Sequence, residues 1–134
     1  MKIKLRFILF FLCLLALSSV HSQYYLGKSR NVNHSNIKGA FGSSLEITKA
    51  EKNFDRFLYG NTMYGQLYDA NNVCIIETIC PLNLKEEMDF LKFFNEECTK
   101  ISKGEWSRTV GNKTISIKYV ENGDASYYKL KERL

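Results

Sequence analysis

The sequence is poor in the residues from which metal and catalytic sites are commonly built. Its 134 residues include 2 histidines, 4 cysteines and 1 proline. Because no Cys-x-x-Cys, His-x-x-x-His or calcium-loop spacing occurs, the sequence predicts neither a metal site nor a cofactor. Linkers rich in proline, glycine or serine are missing, and we detect no internal repeat. These absences favour a single domain.

Candidate catalytic groups are also few. His34 lies in an asparagine-rich stretch where a histidine is usually solvated, although a cysteine–histidine nucleophile that uses His34 and Cys80 is chemically conceivable. The pairs Glu86-Glu87 and Glu96-Glu97 fall on a predicted helix, where adjacent residues do not face each other. We therefore expect no catalytic residues and a protein that is not an enzyme.

Runs of one charge are absent as well. Acidic and basic residues alternate along most of the chain, as in Lys85-Glu86-Glu87. Nucleic-acid binding and a polybasic membrane patch both need clustered lysines and arginines. Neither nucleic acid nor a membrane surface is therefore an expected partner.

The one long apolar run lies near the N-terminus. Three basic residues precede the run over residues 7–17, and Val20-His21-Ser22 follows it. This order predicts a secretory signal peptide over residues 1–22, since the run is too short to span about 30 Å of hydrocarbon. An uncleaved N-terminal anchor is the alternative. Cleavage would leave one domain over residues 23–134, secreted or periplasmic, without a membrane span.

Hydrophobic periodicity predicts an α+β domain in which hairpins form an antiparallel sheet and one long helix packs on one face. Besides the long helix, we expect a short helix that ends at Gly42. The predicted strands cover residues 45–48, 54–59, 63–68, 73–80, 106–110, 114–119 and 127–130.

The long helix has the clearest signals. Asn83 is a good N-cap, and Glu86 completes a capping-box pattern three residues later. Apolar residues recur at helical spacing up to Ile101, and Gly104 marks the predicted end.

The cysteines permit one geometric argument. Cys74 and Cys80 lie on one predicted strand, about 20 Å apart, whereas a disulfide needs Cα atoms within about 7 Å. If the helix folds straight back along that strand, its rise of about 21 Å brings Cys98 level with Cys74. The prediction is a Cys74–Cys98 disulfide, with Cys80 a free thiol or paired between molecules.

Tyrosine is abundant in this sequence, and its abundance is the feature most suggestive of a binding surface. All 8 tyrosines lie beyond residue 22, and several fall on predicted strands. Cross-strand aromatic pairing in the core is one interpretation, and an exposed recognition surface is the other. The residues assigned to such a partner surface are Tyr64, Tyr68, Tyr119 and Tyr127. Sequons for N-glycosylation occur at Asn33 and Asn112, and they matter only in a host with an endoplasmic reticulum.

Two stretches carry a resemblance: Tyr25-Leu26-Gly27-Lys28-Ser29-Arg30, and Phe93-Phe94-Asn95 with the later Gly104-Glu105-Trp106. They resemble small, uncharacterised exported proteins of Gram-negative bacteria, a resemblance that implies export but no activity.

The sequence as a whole favours an exported, non-catalytic domain that binds a protein or envelope component through an open sheet face. An inhibitor of an extracytoplasmic enzyme and a small hydrolase are the alternatives.

Overall fold

Residues 25–133 are described by the computed structural model, and the predicted signal peptide over residues 1–22 lies outside them. They form two α-helices and eight β-strands, which confirms the predicted α+β class with an antiparallel sheet. In chain order the elements are α1 (Arg30–Phe41), β1 (Thr48–Glu51), β2 (Phe54–Tyr59), β3 (Thr62–Tyr68), β4 (Cys74–Pro81), α2 (Leu84–Glu97), β5 (Thr99–Ser102), β6 (Glu105–Val110), β7 (Lys113–Asn122) and β8 (Ala125–Arg133).

The eight strands form one sheet in the order β1-β2-β3-β4-β8-β7-β6-β5. Every neighbouring pair is antiparallel. Two four-stranded meanders therefore meet at the centre of the sheet, where Thr78 of β4 lies opposite Lys129 of β8.

The two meanders are structural repeats, each preceded by one helix. Every strand of the second half begins 51 residues after its counterpart, at positions 48 and 99, 54 and 105, 62 and 113, and 74 and 125. The expectation that the chain has no internal repeat is therefore wrong. Few residues are shared at this spacing, chiefly Gly60-Asn61 and Gly111-Asn112 in equivalent turns.

Local signals explain where the helices begin. The Ser29 side chain accepts a hydrogen bond from the backbone N–H of Val32 at the start of α1, and Asn83 does the same for Glu86 in α2. The Glu86 carboxylate accepts a hydrogen bond from the Thr62 hydroxyl at 2.7 Å. Helix α2 is thereby connected to β3 from its first turn.

The long helix ends earlier than predicted. It stops at Glu97, and the residues expected to continue it form the edge strand β5, in which Thr99 lies opposite Ser107. Thr99 and Ile101 are β-branched, which favours an extended strand over a helix. The first predicted strand is also displaced, from residues 45–48 to β1 at Thr48–Glu51.

Both helices contact the same face of the sheet, which we call the covered face. Phe57, Tyr64, Ile79 and Tyr128 are successive cross-strand neighbours, so their side chains point to one side. The ring centroid of Phe41 in α1 lies 5.4 Å from that of Phe57. Rings of α2 contact the same row: Phe90 lies 6.4 Å from Tyr64, and Phe94 lies 4.8 Å from Tyr128. The expectation of one helix on the sheet is thus corrected to two.

Candidate functional site

The face opposite the helices is the candidate binding surface, and we call it the open face. Residues that lie directly opposite each other on antiparallel strands point to the same side, so the strand registers assign its side chains. Its central row crosses six strands through Arg56, Gly65, Thr78, Lys129, Lys118 and Glu105. The ring contacts between the two described helices and the sheet all lie on the covered face.

The part of the open face on β2, β3 and β4 is mostly apolar. Its apolar residues are Phe54, Leu58, Met63, Leu67, Ile76 and Cys80. Most are half-buried, and Leu58 is 49% exposed. A Cβ atom at Gly65 would collide with the Phe54 ring and the Thr78 hydroxyl. The ring therefore occupies the space left by the missing side chain and covers the backbone there.

The part of the open face on β7 and β8 is basic. Lys118 lies directly opposite Lys129, and Lys131 and Arg133 follow at alternate positions of β8. A groove of about 340 Å³ is lined by Ser116, Lys118, Lys129, Lys131, Glu132 and Arg133. The sequence has no basic run, but alternation on a strand brings these cations together, so the expectation of no basic cluster is wrong. The spacing Lys129-x-Lys131-x-Arg133 was the available signal, but the predicted strand ended at residue 130 and left out Lys131 and Arg133.

The predicted tyrosine surface is not assembled on the open face. Tyr64 and Tyr68 lie on the covered face, where burial raises the pKa of both phenols and Tyr68 is 2% exposed. Tyr119 also lies there, and its hydroxyl donates to the Glu87 carboxylate at 2.7 Å. Tyr127 alone of the four belongs to the open face. The physical reason is that the core of this protein is built largely from aromatic rings.

The cysteines also differ from the prediction. Cys74, Cys80 and Cys98, the cysteines within residues 25–133, are free thiols, so the Cys74–Cys98 disulfide is not formed. Helix α2 does not fold straight back along β4: its Phe94 packs on β8 and on Trp106 of β6. Burial raises the pKa of all three thiols, to about 11 for Cys98.

The conceivable cysteine–histidine nucleophile is not assembled. Cys80 points to the open face, where its thiol donates to the Ser126 carbonyl at 3.5 Å. His34 lies on α1, on the other side of the sheet, with its Nε2 atom 2.6 Å from Asp55 Oδ2. The sheet therefore separates the two groups.

A buried polar row crosses the covered face beneath α1. Asp55, Gln66 and Glu77 are direct cross-strand neighbours, and each is at most 5% exposed. Their counterparts 51 residues later are Trp106, Ile117 and Tyr128, which belong to the apolar core. The first repeat thus places polar groups where the second places its core. Sequence reasoning missed this row, although a charge between the apolar residues of Phe54-Asp55-Arg56-Phe57 was a visible signal.

Asp55 is held by two basic side chains of α1. Arg30 donates two hydrogen bonds to its carboxylate, one of them from Nε at 2.8 Å, and His34 provides the third contact. Burial acts to raise the pKa of Asp55, but the hydrogen bonds from Arg30 and His34 outweigh it and lower that pKa. Asp55 is therefore an ionised anchor for α1. Two buried acceptors nearby, Asn33 Oδ1 and Gln66 Oε1, have no hydrogen-bond partner among the described residues.

Glu77 holds the segment that precedes α1. One oxygen of its carboxyl group, Oε1, accepts a hydrogen bond from the backbone N–H of Tyr25 at 2.8 Å. Backbone hydrogen bonds between Cys74 and both Gly27 and Lys28 continue the attachment. Burial raises the pKa of Glu77 to about 8, so its carboxyl is largely protonated at neutral pH.

We expect the free energy of unfolding to fall as the pH rises from 5 to 8. The unfolded chain releases the Glu77 proton near pH 4.5, whereas the folded protein keeps it to about pH 8. Over this window the folded state binds more protons, so stability should decrease with pH by roughly 2–4 kcal/mol. Urea unfolding at several pH values measures the slope.

The Glu77→Gln variant should remove most of that slope while keeping an acceptor for Tyr25. His34→Gln serves as a control, since the slope should persist without the histidine. An unchanged slope in Glu77→Gln would mean that another group is responsible.

The arrangement holds no evident metal centre and no membrane-spanning helix within residues 25–133. No group of three or more histidine, cysteine, aspartate or glutamate side chains converges there. Neither described helix is long and apolar enough to cross a bilayer. Comparisons of the chain with protein-family models, curated proteins and solved structures gave no match.

Proposed function

We propose that this chain is an exported, non-catalytic domain, secreted or periplasmic, that binds a partner protein through its open face. The observation that carries the proposal is the one-sided arrangement of the sheet: both described helices pack on the covered face. The opposite face keeps part-exposed apolar side chains on β2, β3 and β4. Contiguous apolar surface of this kind commonly marks a site of protein association.

The composition of the open face favours a protein over a polysaccharide or a nucleic acid. Apolar residues such as Leu58 and Ile76 share the face with Lys118 and Lys129. A polysaccharide or a nucleic acid offers polar or anionic groups but no aliphatic side chains to match the apolar part. A protein surface can supply both in one contiguous area.

Site-specific photo-cross-linking in the producing cell tests this proposal. The full chain carries a photoreactive side chain either at Leu58 on the open face or at Val32 on α1. These positions are 49% and 48% exposed, so they form a matched pair. We expect one discrete protein adduct from position 58 and none of that mass from position 32.

Adducts in equal yield from both positions, or none from position 58, would contradict the proposal. An adduct of twice the mass of the chain would assign the open face to a second copy instead. A second experiment places the photoreactive side chain at Ile76 and adds the substitution Leu58→Asp. The charge in the apolar part of the open face should abolish the adduct from position 76. Val32→Asp should leave it intact.

A further inference from the structure

We infer that the basic part of the open face binds carboxylates, so that the partner is an acidic protein segment that also carries apolar side chains. This inference rests on the proposed function and specifies the chemistry of its partner. It starts from the four cations on β7 and β8: Lys118, Lys129, Lys131 and Arg133.

The first observation is the direct opposition of two like charges. Lys118 and Lys129 are cross-strand neighbours with the same orientation, an arrangement that destabilises an antiparallel pair. Lys118 has one acidic neighbour, the Glu105 carboxylate at 3.9 Å, and this pair is largely exposed. Glu105 and Glu132 are two carboxylates against these four cations, so the described residues carry an excess of positive charge here. An anionic occupant would relieve the repulsion.

The second observation is the comparison of the two repeats. On the open face, Leu67, Thr78 and Cys80 of the first repeat correspond to Lys118, Lys129 and Lys131 of the second. Three neutral positions of the open face are therefore lysines in the second repeat, so the two repeats differ in charge on the side that the described helices do not cover.

The third observation is the shape of the basic part. The cations line a groove of about 340 Å³, and the one acidic side chain in its lining, Glu132, has its carboxylate 3.8 Å from Lys113. A groove admits protruding side chains, whereas a bilayer presents a plane of headgroups. Lysine ammonium groups bind carboxylates as point charges, and the adjoining apolar residues require a partner with aliphatic side chains. An acidic, partly apolar protein segment satisfies both conditions.

The test uses a synthetic peptide of the repeat Glu-Ala-Leu-Glu, with Lys-Ala-Leu-Lys as the opposite-charge probe. Binding to the folded chain is followed by fluorescence anisotropy at low and high salt, and the contact residues are mapped by amide chemical shifts. We expect the acidic peptide to bind, to weaken with salt, and to shift amides of β7 and β8. The basic peptide should not bind.

Lys118→Glu and Lys92→Glu form a matched pair of variants. The two lysines are 62% and 64% exposed, and each lies 3.9 Å from one glutamate. Lys118→Glu should weaken binding of the acidic peptide about tenfold, and Lys92→Glu should leave it within about twofold. The thermal midpoint of Lys118→Glu should change little, because relief of the repulsion with Lys129 is offset by a new repulsion with Glu105 on the other neighbouring strand.

Two further probes decide between classes of partner: vesicles of equimolar phosphatidylcholine and phosphatidylglycerol, and a single-stranded oligonucleotide. Binding to either probe but not to the acidic peptide would overturn the inference, as would equal weakening by both variants. If position 58 still yields its adduct while the acidic peptide does not bind, the inference fails and the proposed function stands. If the acidic peptide binds through β7 and β8 while position 58 yields no adduct, the proposed function fails instead.

Discussion

Replacing Arg30 by alanine is expected to lower the free energy of unfolding by about 3–5 kcal/mol. Asp55, the partner of Arg30, is 1% exposed, and two of its hydrogen bonds come from the Arg30 guanidinium. The variant would leave a buried carboxylate with His34 as its remaining side-chain contact. Chemical denaturation monitored by circular dichroism measures the loss.

The geometry of the Arg30 fork allows a graded test. Arg30→Lys keeps the charge but cannot reproduce two parallel hydrogen bonds, so it should recover only part of the lost stability. The double variant Arg30→Met with Asp55→Leu should lose less than Arg30→Ala, because no uncompensated charge stays buried.

An exposed ion pair provides the matched control for Arg30. Lys92 and Glu96 on α2 lie 3.9 Å apart, and both are more than half exposed. Lys92→Ala should therefore change the free energy of unfolding by less than about 0.5 kcal/mol. If Arg30→Ala cost no more than Lys92→Ala, the buried pair would not be what attaches α1 to the sheet.

The predictable part of the fold is the part that local chemistry decides. The Gly60-Asn61 turn and the N-cap at Asn83 depend on residues adjacent in sequence, and β2 was predicted with its observed bounds. The end of α2 was not predictable in this way, because Cys98 and Ile101 continue the apolar helical spacing. Pairing of β5 with β6, a contact that sequence spacing does not reveal, overrides it.

The repeat is not evident in the sequence, because equivalent positions of its two halves carry chemically different side chains. Asp55 and Gln66 in the first half correspond to Trp106 and Ile117 in the second. Little residue-by-residue similarity survives such differences, whereas the strand spacing does. The backbone arrangement of the halves is thus shared, and the side chains have separate roles.

The candidate site was predictable only as a surface. The sequence indicated a sheet with an open side, but it could not assign residues to that side, because β3 is apolar or aromatic on both faces. Tyr64 and Leu67 are equally plausible core residues on sequence grounds, and the register places Tyr64 under the helices and Leu67 on the open face. The expectation of no basic cluster was wrong for a related reason. It considered charged residues that are neighbours along the chain, and not those that are neighbours across the sheet.

Phe94→Ala is the second substitution with a large expected effect, a loss of about 3–5 kcal/mol in the free energy of unfolding. Phe94 is 3% exposed, and its ring centroid lies 4.8 Å from that of Tyr128 and 5.6 Å from that of Trp106. Truncation would leave a cavity between α2 and two strands. Because rigid aromatic rings line it, the cavity can collapse only partly, and denaturant unfolding followed by Trp106 fluorescence measures the cost.

Leu91→Ala is the control for Phe94 on the same helix. Leu91 is 41% exposed, so the loss should stay below about 1 kcal/mol. Equal losses from the two variants would show that α2 is stabilised by its helical propensity rather than by its packing on the covered face. A large difference would mean that the packing of α2 on the covered face stabilises β8, the strand whose opposite side carries Lys129 and Lys131.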